Sequence, residues 1–261
     1  MISHLIASVV NAADAGLLPD AIVRRGIRRL LADRCRAIDA LTPEAAADAV
    51  RSFLGHCASA RIAELPQQAN AQHYEVPAEL FVAALGPRLK YSCCYWDETV
   101  RDLPTAEERA LAITCERAGL CDGQEILELG CGWGSLSLWM AEQYPSARIT
   151  VVSNSHSQRG VITRRAAERG FSKLKVLTCD VNTLDFPVGT TFDRVVSVEM
   201  FEHVRNHGQL MQRIAAWLRD GGRLFVLHFC HRSHPYLFED HGPQDWMTRH
   251  FFAGGMMPSD D

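Results

Sequence analysis

The chain has 261 residues, 47% hydrophobic and 22% charged, enough for a large buried core with or without a helical appendage and too apolar for a disordered or collagen-like chain. Lys+Arg 27 against Asp+Glu 31 gives a formal net charge of -4, which provides no global positive field and argues against nucleic acid as a partner. No apolar run reaches the roughly 20 residues that span a bilayer, and MISHLIASVVNAADAG has no basic stretch ahead of its apolar one, so neither a transmembrane segment nor export is expected.

Residues 1 to about 65 are rich in Ala, Leu and Arg at helical spacing and predict two or three helices, with Thr42 as an N-cap and Pro43 at the first helical position. Arg24, Arg25, Arg28, Arg29, Arg34 and Arg36 could form a basic face for peripheral contact with anionic lipid headgroups. Asp20 and Asp33 dilute that charge, which favours a solvated face on a packed helix. From Gln124 the pattern changes to short apolar strands alternating with amphipathic helices: EILEL, SLSLWMAEQY, RITVVS, SQRGVITRRAAERG, KLKVLTC, FDRVVSV, QLMQRIAAWLR, GGRLFVLHF. Five strands with right-handed crossovers give a doubly wound, Rossmann-like parallel α/β sheet whose ligands bind at the C-terminal strand ends.

Glu128-Leu129-Gly130-Cys131-Gly132-Trp133-Gly134 puts three glycines in the first strand-to-helix turn, where missing side chains and an opening helix N-terminus admit a nucleoside-containing cofactor. A dinucleotide site wants G-x-G-x-x-G and an acid about 20 residues later. Here the third glycine comes one place early and the second strand ends in Ser153-Asn154, which counts against NAD. After the fourth strand, Glu199, Glu202 and His203 fall at i, i+3 and i+4 and share one face if the turn is helical. Two neighbouring carboxylates raise each other's proton affinity and an imidazole titrates near neutrality, so the group can accept a proton. His228, His231 and His234 have a spacing that suits local hydrogen bonding or substrate contact better than a metal, and no metal is expected. Nine cysteines without a C-x-x-C pair point to a reduced, cytoplasmic protein.

Tyr91-Ser92-Cys93-Cys94-Tyr95-Trp96, ILELGCGWGSLSL, SNSHSQ, FDRVVSVEMFEHV and LFVLHFCH, in this order, resemble the cyclopropane-fatty-acyl-phospholipid synthases and the coclaurine N-methyltransferases, a family of S-adenosylmethionine-dependent methyltransferases. The resemblance implies a class I methyltransferase core over 91–261 behind a helical region 1–90. It also implies S-adenosylmethionine held by Tyr91, Ser92, Glu128, Gly130, Gly132 and Gly134 at the methionine end. Ser153, Asn154 and Gln158 would meet the ribose, and Asp180 and Val181 the adenine edge.

Two chemistries follow from the same likeness. In cyclopropane synthases a bicarbonate held by residues matching Cys93, Glu202 and His228 takes a proton from a carbocation on an unsaturated acyl chain; in the amine-methylating branch the matching group is Glu199, Glu202 and His203. Glu199 stands where the cyclopropane synthases carry glycine, and SNSHSQ, EMFEH and HFCH resemble the amine branch more closely. N-methylation of a small arylalkylamine is therefore the favoured expectation, with lipid cyclopropanation and a catalytically silent cofactor-binding protein as alternatives. Complete sheets of this class have two strands after the fifth, yet no strand-length alternation follows Phe229. A C-terminally truncated sheet is expected, and with it an exposed edge that favours homo-oligomers.

Overall fold

The computed structural model describes residues 2–73, 77–243 and 245–260. The first helices are α1 (Ile2–Asp14), α2 (Asp20–Asp39) and α3 (Pro43–Ser59). Thr42 caps α3, its side chain accepting from the Ala45 N–H at 3.2 Å, and Pro43 fits because its position needs no donor. α2 and α3 bury no residue among themselves. The six α2 arginines are exposed, and Arg34 lies 4.3 Å over the Tyr236 ring. Among the described residues no helix is long and apolar enough to cross a membrane.

Two short helices follow, α4 (Pro66–His73) and α5 (Ala78–Ala84), and then α6 (Leu103–Arg117). The second half of residues 1–90 belongs to the core packing. Ile62 is buried among Leu127, Val195 and Phe201, and Phe81 and Leu89 pack on Trp133.

The sheet is built from β1 (Glu125–Leu129), β2 (Arg148–Ser153), β3 (Leu174–Thr178), β4 (Phe192–Val198) and β5 (Leu218–Leu227). All five are parallel in the order β3-β2-β1-β4-β5. α7 (Ser135–Gln143) and α8 (His156–Glu168) follow β1 and β2, while α9 (His207–Trp217) joins β4 to β5. The order reverses between β1 and β4, so the cleft expected for a doubly wound sheet opens over the end of β1. Alternation sorts the strand side chains: Ile126, Ile149, Val151 and Val196 face α6, α7 and α8, and Leu127, Val152 and Val195 face Ile62 and α9.

The β3–β4 connection carries no helix. One detail departs from the sequence pattern: β5 begins at Leu218, three residues before Gly221, where the fifth strand was expected to start. Leu218 already pairs with Phe192, with a register shift before Arg194. Gly222 permits that irregular start, since a Cβ there would sit 2.9 Å from the Arg219 carbonyl. After β5 the tail forms β6 (Tyr236–Leu237), α10 (Trp246–His250) and β7 (Met256–Met257). β6 and β7 pair with each other, antiparallel and outside the main sheet, and two-residue strands are too short to show alternation. The main sheet thus has five strands among the described residues.

Candidate active site

The turn after β1 separates the three glycines by task. All have positive φ, +76° at Gly130, +51° at Gly132 and +82° at Gly134, a region other residues avoid. A Cβ on Gly130 would strike Met200 at 2.7 Å, and one on Gly134 would strike Ile162 at 2.6 Å. A Cβ on Gly132 would meet nothing within 4 Å, because it would project into the cleft. Gly132 alone leaves a space for a ligand; Gly130 lines the cleft with its backbone, and Gly134 instead caps α7 and lets it approach α8. Glu128, one residue before the end of β1, faces α7 and accepts from Ser137 Oγ at 2.5 Å. Its burial pushes the carboxyl up to about 7, against the effect of the Ser137 hydroxyl.

Two lobes meet over Gly130 and Gly132. The first is walled by Leu129, Val152, Val181 and Leu184, with Ser153, Asn154 and Gln158 as its polar groups. Ser153 Oγ donates to Gln158 Oε1 at 2.6 Å, which leaves the buried Gln158 Nε2 without a partner. Asn154 Nδ2 donates to the Pro66 carbonyl at 3.1 Å and so ties the start of α4 across this lobe. Asp180 does not join the lining. Its Oδ1 accepts from the Asn182 N–H at 2.8 Å and from Asn182 Nδ2 at 2.9 Å, and Asn182 in turn grips both backbone groups of Ala63. Asp180 holds a turn, while its neighbours Cys179 and Val181 form the wall.

The second lobe gathers charge. Lys90, Tyr91 and Ser92 line one side, Glu128 lies at the floor, and Glu199, Glu202 and His203 line the side towards β4, with Phe229, Phe251 and Phe252 around them. The last three catalytic candidates do converge, but not on a regular helix: Glu199 has φ +52° and only Phe201–His203 make a single 3-10 turn. Glu202 is 1% exposed. Its Oε1 accepts from the Phe229 N–H at 2.9 Å, and its buried Oε2 has no partner. Burial first, and then the nearby Glu199 charge, push the Glu202 carboxyl up to about 7. The His203 ring stacks on Phe252 at 5.7 Å.

Neither Cys93 nor His228 lines either lobe. Cys93 Sγ lies 3.9 Å from Glu199 Oε1, whereas His228 pairs its Nδ1 with the Phe229 carbonyl at 2.9 Å and is absent from the walls of both lobes. Of the three residues of the bicarbonate reading, only Glu202 lines the second lobe. Beyond them, His231 Nδ1 accepts from the His234 N–H at 2.9 Å and from the Ser233 N–H at 3.2 Å, so this histidine run is locally bonded.

Lys90 in the wall of the second lobe and Glu107 behind it carry no motif. Glu107 of α6 is fully buried and brackets the approach to the lobe, Oε2 accepting from the Arg88 N–H at 2.9 Å and Oε1 from the Lys90 N–H at 3.0 Å. Gly86 lies under this carboxylate, where a Cβ would sit 2.3 Å from Oε2. Lys90 is itself buried, and desolvation holds its ammonium below the usual lysine range. A buried lysine is visible in a sequence only once its burial is known.

The cleft suits an extended ligand with polar groups at both ends: open space above Gly132, and unpartnered buried atoms at Gln158 Nε2 in the first lobe and at Trp133 Nε1 and Ser135 Oγ in the second. The mycolic acid cyclopropane synthetase family model matches residues 63–261. The (S)-coclaurine N-methyltransferase of Thalictrum flavum subsp. glaucum is 34% identical over 253 residues, 97% of this chain and 70% of that protein. The cyclopropane-fatty-acyl-phospholipid synthase of Escherichia coli (strain K12) is 32% identical over 192 residues, 72% of this chain and 46% of that protein. A crystal structure of coclaurine N-methyltransferase bound to N-methylheliamine and SAH superposes with a TM-score of 0.90 at 33% identity, covering 98% of this chain and 74% of that one. A match over most of the chain, on a sheet whose cleft fits the cofactor, settles the class: the chain belongs to the mycolic acid cyclopropane synthetase family and is an S-adenosylmethionine-dependent methyltransferase.

Proposed function

We propose that this enzyme methylates the nitrogen of a small arylalkylamine. The cofactor, when bound, supplies an electrophilic methyl group on a cationic sulfur; everything else falls to the residues of the second lobe. An alkylamine is protonated near neutral pH and has no lone pair to offer until that proton leaves. Glu202 Oε2, buried, unpartnered and on a carboxyl pushed up to about 7, is matched to accept it, because a base whose pKa lies near the working pH is both free and basic enough. Glu199 adds a negative charge that favours a cationic substrate in the lobe, and His203 extends the proton-accepting group. Phe229 and Phe251 add aromatic surface for a substrate ring, and Phe252 backs His203.

The observation that carries this reading is the unpartnered Glu202 oxygen in one lobe with Glu199 and His203. The relatives support it, being named for N-methylation of coclaurine and, at 34% identity over 71% of this chain, of tetrahydroprotoberberine in Eschscholzia californica. The absence of Cys93 and His228 from the lining of the lobe weighs against lipid cyclopropanation. All nine cysteines are free thiols, in keeping with a reducing compartment such as the cytoplasm. Mass spectrometry of products from arylalkylamines and from unsaturated phospholipids, offered separately, tests the proposal. An N-methylated amine is expected; a cyclopropane product, or cofactor binding without product from either class, overturns it.

A further inference from the structure

We propose that Lys90 is the counter-ion of the α-carboxylate of S-adenosylmethionine, with Ser92 as its co-donor. The proposal rests on the cofactor and is independent of which acceptor is methylated.

The backbone presents Lys90 deliberately. Leu89 has φ +52°, a left-handed turn that costs a leucine about 1–3 kcal/mol and persists only where the surroundings dictate it. They do so here: Glu107 binds the N–H groups on either side of Leu89, at Arg88 and Lys90, and Leu89 is buried on Trp133 and Phe81. The result turns a lysine into the protein, 7% exposed, on the wall of the second lobe.

A buried ammonium calls for an anion. Among the described residues Lys90 has no carboxylate within ion-pair distance, and its side-chain hydrogen bond goes to a neutral hydroxyl, Ser92 Oγ at 2.5 Å. Glu107, Glu199, Cys93 and Cys94 act on it only at longer range, and burial outweighs them in lowering its proton affinity. The same lobe holds the buried carboxyl of Glu128 and the unpartnered Ser135 Oγ and Trp133 Nε1. One buried cation and one buried acid in a single lobe complement a zwitterion, and the amino-acid end of the cofactor is one, with its carboxylate on the Lys90 and Ser92 side.

Calorimetry with two ligands tests this: S-adenosylhomocysteine and S-adenosyl-3-thiopropylamine, which keeps the ammonium and lacks the carboxylate. The parent enzyme is expected to prefer S-adenosylhomocysteine by about 10- to 100-fold, the range of one charge-assisted hydrogen bond. Lys90→Met should lose that preference by weakening S-adenosylhomocysteine alone, and Lys90→Arg should keep part of it. Retained preference in Lys90→Met, or equal weakening of both ligands, overturns the proposal. If Lys90→Met does not fold, as judged by its melting transition, Lys90→Arg decides: an unchanged preference together with weaker binding of both ligands would count against the ion pair. Failure of the parent to bind S-adenosylhomocysteine would instead sink the cofactor assignment.

Discussion

The two lobes of the cleft share Gly130, Gly132, Glu199 and His203, yet the first is otherwise apolar and amide-lined while the second collects Lys90, Glu128 and Glu202. A nucleoside is uncharged near neutral pH, so shape, apolar walls and neutral donors such as Gln158 Nε2 suffice to hold it. An amino-acid zwitterion and an amine that must surrender a proton require charges, and charges are costly to bury. The second lobe therefore concentrates the unfavourable features of the molecule: two carboxyls pushed up to about 7, a desolvated lysine, and left-handed backbone at Leu89 and Glu199. Binding machinery and chemical machinery are adjacent here but obey different physical rules, and each can be broken without the other.

The largest effect is expected where the lobes join. Gly132→Val adds a β-branched side chain at φ +51° into the space above the turn, combining backbone strain of about 1–3 kcal/mol with direct obstruction. Calorimetry should show S-adenosylhomocysteine binding abolished while circular dichroism retains the sheet; an unchanged affinity would refute the role given to Gly132.

Glu202→Gln should break only the second lobe. Loss of the base is expected to slow methylation of an amine about 10²- to 10⁴-fold with S-adenosylhomocysteine affinity little changed. Activity of the parent should rise as pH increases through about 7, where Glu202 becomes able to accept a proton. Stability runs the other way. A carboxyl whose folded pKa is raised from 4.5 to about 7 contributes stability that is complete below about 4.5 and is lost as pH rises through about 7. Glu202→Gln has no such loss, so its melting temperature should exceed that of the parent increasingly between pH 5 and pH 8, by the equivalent of about 1–3 kcal/mol. Parallel melting curves across that range would show that the carboxyl is not raised.

Glu199→Gly separates strain from charge. Glycine adopts φ +52° freely, so the variant is expected to melt at the same temperature as the parent or higher, by up to about 1 kcal/mol of stability, while methylating amines more slowly. A variant that is both less stable and fully active would remove Glu199 from the proton-handling group.

The first lobe was far more legible in the sequence than the second. Alternating apolar residues gave all five strands, and the glycine spacing located the cleft, because both are local patterns. The motif residues Ser153, Asn154 and Gln158 reached the first lobe for the same reason. Asp180 matched a motif yet serves Asn182, and Gly134 matched one yet serves the α7–α8 contact, since spacing cannot say which neighbour a residue meets. Glu107 and Lys90 were invisible: each looks like an ordinary surface charge until α6 and the 86–92 segment are packed together. His228 matched a motif yet bonds the Phe229 carbonyl through Nδ1 and does not line either lobe.

The smallest expected effect discriminates between the two chemistries of the family. Cys93 touches the site through one weak S–H···O contact, 3.9 Å to Glu199 Oε1, so Cys93→Ala should slow amine methylation by about fivefold or less, the equivalent of about 1 kcal/mol. His228→Ala should be similarly mild, because its Nδ1 bonds the Phe229 carbonyl rather than anything in the second lobe. Added bicarbonate should not change the rate, since Cys93 and His228 do not line the lobe that holds Glu202. Cyclopropanation inverts this ranking: it needs a bicarbonate site, so Cys93→Ala and His228→Ala would be severe, bicarbonate would stimulate turnover, and Glu199→Gln would be tolerated. Initial rates for the three variants, each with and without bicarbonate, therefore read the lobe's chemistry directly, and strong dependence on Cys93 with indifference at Glu199 would replace the amine reading with the lipid one.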